Sequence, residues 1–330
     1  MIIDLETQVW NNPAQLGAES TEWRLKEETE TWTALDASPA AHEAAMACVD
    51  VSVVLGFRSL HLDAHITSES VAAFVGRQPN RRLGFAGVDP MCDGALDDIE
   101  KGLSLGLSGV VIAPASQNFH PTHSRAMRVY ERCQDIGIPI LVRTQRRPTS
   151  STNMAYGRPL LLDEVARAFP KLRLVIGGLG YPWTDELFIL IGKHRNVFTD
   201  LAGQVSRPWQ LYHALVGAFE HRVMEKILFA SGFPFDTPER AISRIYSLNS
   251  YSHGTDLPSI PRQHLRGIVE RDVFYCLGIE RPGGASLTGG LSLPAEPIEA
   301  IEEDEDIDAQ ITTLTGLLRE GAEPNSRRNG

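Results

Sequence analysis

The chain has 330 residues, 42% of them hydrophobic and 22% charged, with a formal net charge of −11. That is enough for one large α/β barrel with a tail, or for two smaller domains. The acidic balance argues against nucleic acid or an anionic membrane surface as partners, since both are polyanions.

No apolar stretch approaches the ~20 residues of a membrane helix. MIIDLE enters a strand without a basic and then apolar leader, so a cytoplasmic protein is expected. Cys48, Cys92, Cys133 and Cys276 are far apart and form no CxxC pair, which leaves four reduced thiols rather than a thiolate zinc or redox site.

Short apolar runs fall at residues 2–4, 51–55, 84–88, 110–113, 138–142, 172–176, 197–199 and 227–229. Each is rich in Val, Ile or Leu and continuous rather than alternating, the pattern of strands buried on both faces. Helical segments lie between them. Ser38-Pro39 opens the first, Ser68 precedes the second, Asp93 the third, and Ser124 opens one ending at Gly137. Residues 160–169, 185–194, 208–219 and 238–248 complete the set. Eight strands alternating with about eight helices predict a (β/α)8 TIM barrel over residues 1–280. A doubly wound sheet is the alternative, but the chain has no GxGxxG or GxxxxGK[ST] loop to support it.

Residues 281–330 read differently. RPGGASLTGGLSLPAEP is a Gly/Ser/Pro linker and IEAIEEDEDID an acidic run, which predicts a flexible tail. Within it, Ile307, Ile311, Leu314, Leu317 and Leu318 share one face of a short amphipathic helix. A lone helix of that length is marginal in water, so the stripe is the candidate surface for a protein partner.

Several strings resemble the amidohydrolase-related family that includes aminocarboxymuconate-semialdehyde decarboxylase. MIIDLETQVW is similar to its MIID-x-H-x-H-x-W opening. QNFHP followed by YERCQDIGIPILVRT resembles its Q-N-F-x-P…G-x-P-[VI]-L-x-H-T segment. RPLLLDEVARAFPKLRLVIGGLGYPW, NVFTDLAG and KILFASGFPF resemble three further family strings. The likeness spans residues 1 to about 280 and implies the barrel.

In that family the metal is held by the two histidines of H-x-H after the first strand, a histidine ending the fifth and an aspartate ending the eighth; a histidine ending the sixth is catalytic. The resemblance puts these roles on Glu6, Gln8, Arg143, Gly232 and Gly178. A lysine and a histidine common on the fourth strand fall on Val111 and Ala113.

A catalytic zinc needs about three donors and an open position for water. Glu6 can donate, Gln8 is a weak neutral ligand, Gly232 has no side chain, and Arg143 has no lone pair and stays charged. No metal or other cofactor is therefore expected. Two residues once aimed at a common ion should still meet, so Glu6 and Arg143 are expected to form an ion pair across the barrel mouth.

His61 and His65, with His120 and His123, lie on loops after the second and fourth strands, where a relocated metal site is an option and uncommitted loop histidines are the simpler one. Ser231 lacks a GxSxG elbow. Trp10, Arg143 and Asp200 are the candidate contacts for a small anionic ligand in the mouth. The leading expectation is a non-catalytic binding or assembly subunit that docks a partner through its tail. The alternative is a metal-independent or atypical hydrolase or decarboxylase using Glu6 and Arg143 on a small carboxylated substrate. The resemblance also makes a homodimer an expectation.

Overall fold

The computed structural model describes residues 1–18, 35–144 and 148–282. All lie in the first of two units into which the chain divides, Met1–Ala285 and Ser286–Gly330. The tail helix predicted around Ile307 to Leu318 lies outside the described residues.

Eight parallel strands follow one another around the sheet: β1 (Ile3–Thr7), β2 (Val51–Leu55), β5 (Arg82–Gly87), β6 (Gly109–Ile112), β7 (Ile140–Val142), β8 (Leu174–Ile176), β9 (Val197–Asp200) and β10 (Ile227–Leu228). The ring closes where β1 meets the segment after β10. There Leu5 N–H donates to Phe229 O at 3.1 Å, Gly232 N–H to Glu6 O at 3.1 Å and Gln8 N–H to Phe233 O at 3.0 Å. This is the (β/α)8 barrel that the apolar runs predict, with each run on a strand.

The helices are α1 (Pro39–Ala45), α2 (Ser68–Val75), α3 (Ala95–Ser104), α4 (Ser124–Ile136), α5 (Asp163–Ala168), α6 (Thr184–Lys193), α7 (Pro208–Glu220), α8 (Pro238–Tyr246), α9 (Arg262–Glu270) and α10 (Val273–Leu277). Ser38 caps α1 as its sequence suggests, accepting from Ala41 N–H, with Pro39 in the first turn. Two other starts shift by a residue: Thr67 rather than Ser68 caps α2, and Gly94 precedes α3, whereas α4 opens at Ser124 with the His123 ring accepting from Arg125 N–H ahead of it. Gly137 ends α4 in the left-handed region, φ 77°.

Two features went unassigned in the sequence. A hairpin, β3 (Phe57–Ser59) and β4 (Ala64–Ile66), rises from the end of β2, too short to give a periodic signal. Its backbone crosses β5 so closely that a Cβ on Gly87 would stand 2.4 Å from Phe57 N.

The second is the α9–α10 segment. Leu265, Ile268 and Val269 recur at helical spacing and are buried, and Asp272 caps α10 by accepting from Tyr275 N–H. Val273, Phe274 and Leu277 join the apolar filling of the barrel, with Ile3, Leu5, Val53, Leu55, Phe85, Val111, Leu141, Val175 and Phe198. Arg271 donates to the carbonyls of Met224 and Ile227, which sets α10 beneath the N-terminal end of the strands. Burying each such aliphatic or aromatic side chain contributes about 1.5–3 kcal/mol. The N-terminal end is thus sealed with apolar groups, leaving the opposite end for polar chemistry.

Candidate functional site at the barrel mouth

The polar residues of the mouth arise from an irregularity in β1. Asp4 is opposite Ser52 and Thr7 opposite Val54, so three steps on β1 match two on β2. This is a β-bulge, and the extra residue breaks strict alternation. Leu5 faces the apolar interior, and the next residue, Glu6, also points inward at the strand's end, where it lines a cavity. Thr7 turns outward, donating to Val53 O at 2.8 Å and accepting from the His42 Nε2–H at 3.0 Å. Burial, with the Arg82 charge second, pushes His42 down to about 3. It is a neutral pin between α1 and β1.

Glu6 and Arg143 meet across the mouth. Arg143 Nε donates to Glu6 Oε1 at 3.0 Å, with the two side chains 20% and 9% exposed. The guanidinium carbon also stands 5.6 Å from the centre of the Phe57 ring on the hairpin. Arg143 N–H donates to Ile112 O at 2.8 Å, so β6 fixes the backbone from which the side chain projects.

Around the pair is a cavity of about 30 Å³, lined by Glu6, Gln8, Arg143, Thr144, Gly178 and Gly232 among others. Gln8 is 2% exposed, and its Nε2 has no hydrogen-bond partner among the described residues. Gly178 and Gly232 adopt φ +58° and +75°; a Cβ on Gly178 would lie 2.8 Å from Ala202 O, and one on Gly232 3.0 Å from Gly203 N. Behind this wall Asp200, fully buried, accepts at Oδ1 from Gly178 N–H (2.8 Å) and Ala202 N–H (2.9 Å). Burial, and next the negative charge of Glu6, raise its carboxyl well above the usual carboxylate range. Asp200 Oδ2 has no hydrogen-bond partner among the described residues.

Of the expected ligand contacts, Arg143 lines the cavity, Asp200 supports its wall, and Trp10 packs against Phe235, ring centroids 6.4 Å apart. Val111 is fully buried in the barrel interior. Ala113 has a different role from a ligand: its N–H donates to Gln117 Oε1 at 2.7 Å, while Gln117 Nε2 donates to Arg58 O (2.6 Å) and Val88 O (2.7 Å). One buried amide thus ties β6, the end of β5 and the hairpin together. The QNF string carries Gln117, and the sequence reading did not single it out.

A resident catalytic metal does not fit these residues. The only carboxylate among these five positions, four for ligands and one catalytic, is engaged by a guanidinium, and the two glycines lack side chains and hold positive φ angles at which a Cβ would crowd the neighbouring backbone. Among the described residues no three His, Cys, Asp or Glu side chains converge as a metal group. His61 donates through Nε2 to Ser151 O at 2.8 Å; His65 is exposed on β4; His120 bonds Thr122; and His123 caps α4. Among the described residues these four histidines do not gather into a group of three or more ligating side chains. Also among the described residues, no helix is long and apolar enough to cross a membrane.

Residues 3–258 match the family model described as "Amidohydrolase". No curated protein matches the chain by sequence. The fold is similar to that of an uncharacterised TIM-barrel protein from Bordetella bronchiseptica, at 18% identity and TM-score 0.60 over 84% of this chain and 98% of that one. It is also similar to 5-carboxyvanillate decarboxylase from Sphingomonas paucimobilis, at 16% identity and TM-score 0.59 over 84% and 99%. An amidohydrolase from Burkholderia multivorans with bound zinc is 12% identical, with TM-score 0.62 over 85% and 100%. At these identities the likeness concerns the fold.

Proposed function

The chain belongs to the amidohydrolase family, and from that premise we propose that it keeps the barrel without the metal chemistry, as a non-catalytic binding or assembly subunit. One observation carries this reading: the 3.0 Å Arg143–Glu6 pair puts a fixed cation where the family resemblance calls for a metal ligand. A guanidinium repels a divalent ion and cannot lower the pKa of a bound water, the step on which metal-assisted hydrolysis depends. Residues 281–330 supply the docking element, with Ile307, Ile311, Leu314, Leu317 and Leu318 as its contact stripe. A cytoplasmic setting agrees with four free cysteines.

Metal analysis of protein purified and then incubated with Zn²⁺ or Mn²⁺ tests the reading. The expected result is far less than one ion per chain and no turnover of carboxylated aromatic substrates; one tightly held ion per chain overturns it. Deleting residues 281–330 should leave the barrel folded and abolish partner association.

A second reading has one observation in its favour. Burial and the negative charge of Glu6 raise the Asp200 carboxyl above the usual carboxylate range, and two carboxyl groups whose environments push their protonation apart are the arrangement of acid–base catalysis. On this reading the chain is an atypical decarboxylase or hydrolase. Undiminished turnover by Glu6→Gln would reject it.

A further inference from the structure

We propose that the outer face of α6 is the contact surface between two copies of this chain, packed antiparallel about a two-fold axis through Ile189. The proposal concerns the helical wall and does not depend on the reading of the mouth.

Ile189 is 57% exposed in the middle of α6, although Phe188 and Leu190 on either side of it are buried. The neighbouring segment adds a second apolar group. Leu160 is also exposed, and it lies between Arg158, which pairs with Glu186, and Asp163, which pairs with Lys193. Ile189 in turn lies between Glu186 and Lys193. The two ion pairs thus bracket an apolar strip with a charged rim, the anatomy of a protein interface.

The charges along the strip name the occupant. Asp185, Ile189 and Lys193 are spaced four apart, so they form one ridge of α6, with the acid a turn before the isoleucine and the base a turn after it. Asp185 is exposed, and its carboxylate has no partner among the described residues. Lys193 Nζ donates to Asp163 Oδ1 at 2.6 Å, and an ammonium has two further protons to give. A two-fold axis pairs residue i with j and j with i. Centred on Ile189, it stacks the two isoleucines and sets each Asp185 against Lys193 of the second copy. The same order of charge recurs on α5, where Asp163 and Glu164 precede Arg167. Antiparallel packing therefore matches opposite signs, whereas parallel packing opposes like ones. A wholly acidic or wholly basic partner would be repelled at one end of the ridge.

The test is sedimentation velocity of the full chain across micromolar concentrations. A reversible dimer is expected, with Ile189→Glu weakening self-association by about tenfold or more while circular dichroism shows the barrel folded. Asp185→Lys sets a base against Lys193 of the second copy, and Lys193→Asp sets an acid against its Asp185. Each variant alone should be monomeric at concentrations where the wild type is dimeric. An equimolar mixture of the two should dimerise, because every ridge contact is then again between opposite charges. A wild type that stays monomeric throughout the range overturns the proposal. So does a dimer untouched by Ile189→Glu, which would place the contact elsewhere on the chain, and so does a mixture of folded charge variants that stays monomeric. If Ile189→Glu fails to fold, the mixture decides the matter by itself.

Discussion

Ser231 holds Asp4 by both carboxyl oxygens: its N–H donates to Oδ1 at 2.9 Å and its hydroxyl lies 2.5 Å from Oδ2. The pair joins the first strand to the segment after the last, beside the seam where the barrel closes. Burial pushes Asp4 up to about 7 despite these hydrogen bonds. The folded protein therefore holds this proton more tightly than the unfolded chain does. The stabilisation is complete below about pH 4 and is lost as pH rises toward 7. Asp4→Asn mimics the protonated form. Its melting temperature should match the wild type near pH 4, exceed it increasingly up to about pH 7, and keep a level advantage above that. A constant offset across the range would show that Asp4 does not titrate in this window.

The charge pair at the mouth is expected to behave as a unit. Arg143→Met leaves Glu6 buried without a counter-charge and should cost roughly 3–5 kcal/mol in urea unfolding. Adding Glu6→Gln should recover most of that loss. Additive losses in the double variant would mean the two side chains are uncoupled in solution.

Asp200 separates hydrogen bonding from charge. Asp200→Asn retains an oxygen for the Gly178 and Ala202 N–H groups, so its stability should stay within about 1 kcal/mol of the wild type. Asp200→Ala leaves both donors without an acceptor and should cost about 2–6 kcal/mol, at roughly 1–3 kcal/mol per buried orphan. Equal losses in the two variants would show that the wall does not depend on those bonds.

Restoring the family's side chains should not restore a metal. Gly178→His and Gly232→Asp each put a Cβ on a residue in the left-handed region, against Ala202 O or Gly203 N. Each should destabilise by about 1–3 kcal/mol. A Glu6→His, Gln8→His, Arg143→His, Gly232→Asp variant should show no tight Zn²⁺ binding by competition with a chromogenic chelator. Tight binding would mean that the backbone relaxes to accommodate the ligands.

Gln117 is expected to be a positioning residue for the whole mouth. Gln117→Leu removes hydrogen bonds to three backbone groups, Ala113 N–H, Arg58 O and Val88 O. It should lose about 2–4 kcal/mol, and amide exchange should accelerate in the hairpin 57–66 before the strands. Uniform exchange changes would contradict this role.

The eight barrel strands were legible because a strand buried on both faces must be apolar throughout, a local signal that survives in a single sequence. The side-chain chemistry at Gln8, Arg143, Gly178 and Gly232 was equally legible, since it is fixed by identity alone. Other features were set by contacts between residues far apart in the chain. The hairpin at 57–66 exists because Gly87 lets its backbone cross. The bulge that turns Glu6 inward is defined by register against β2. The value reached by Asp4 depends on what surrounds it, as does the solitary donor of Gln8. Residue identity determined which chemical groups stand at this mouth. Only packing decided how close its charges stand, because distance, burial and register are properties of the folded whole.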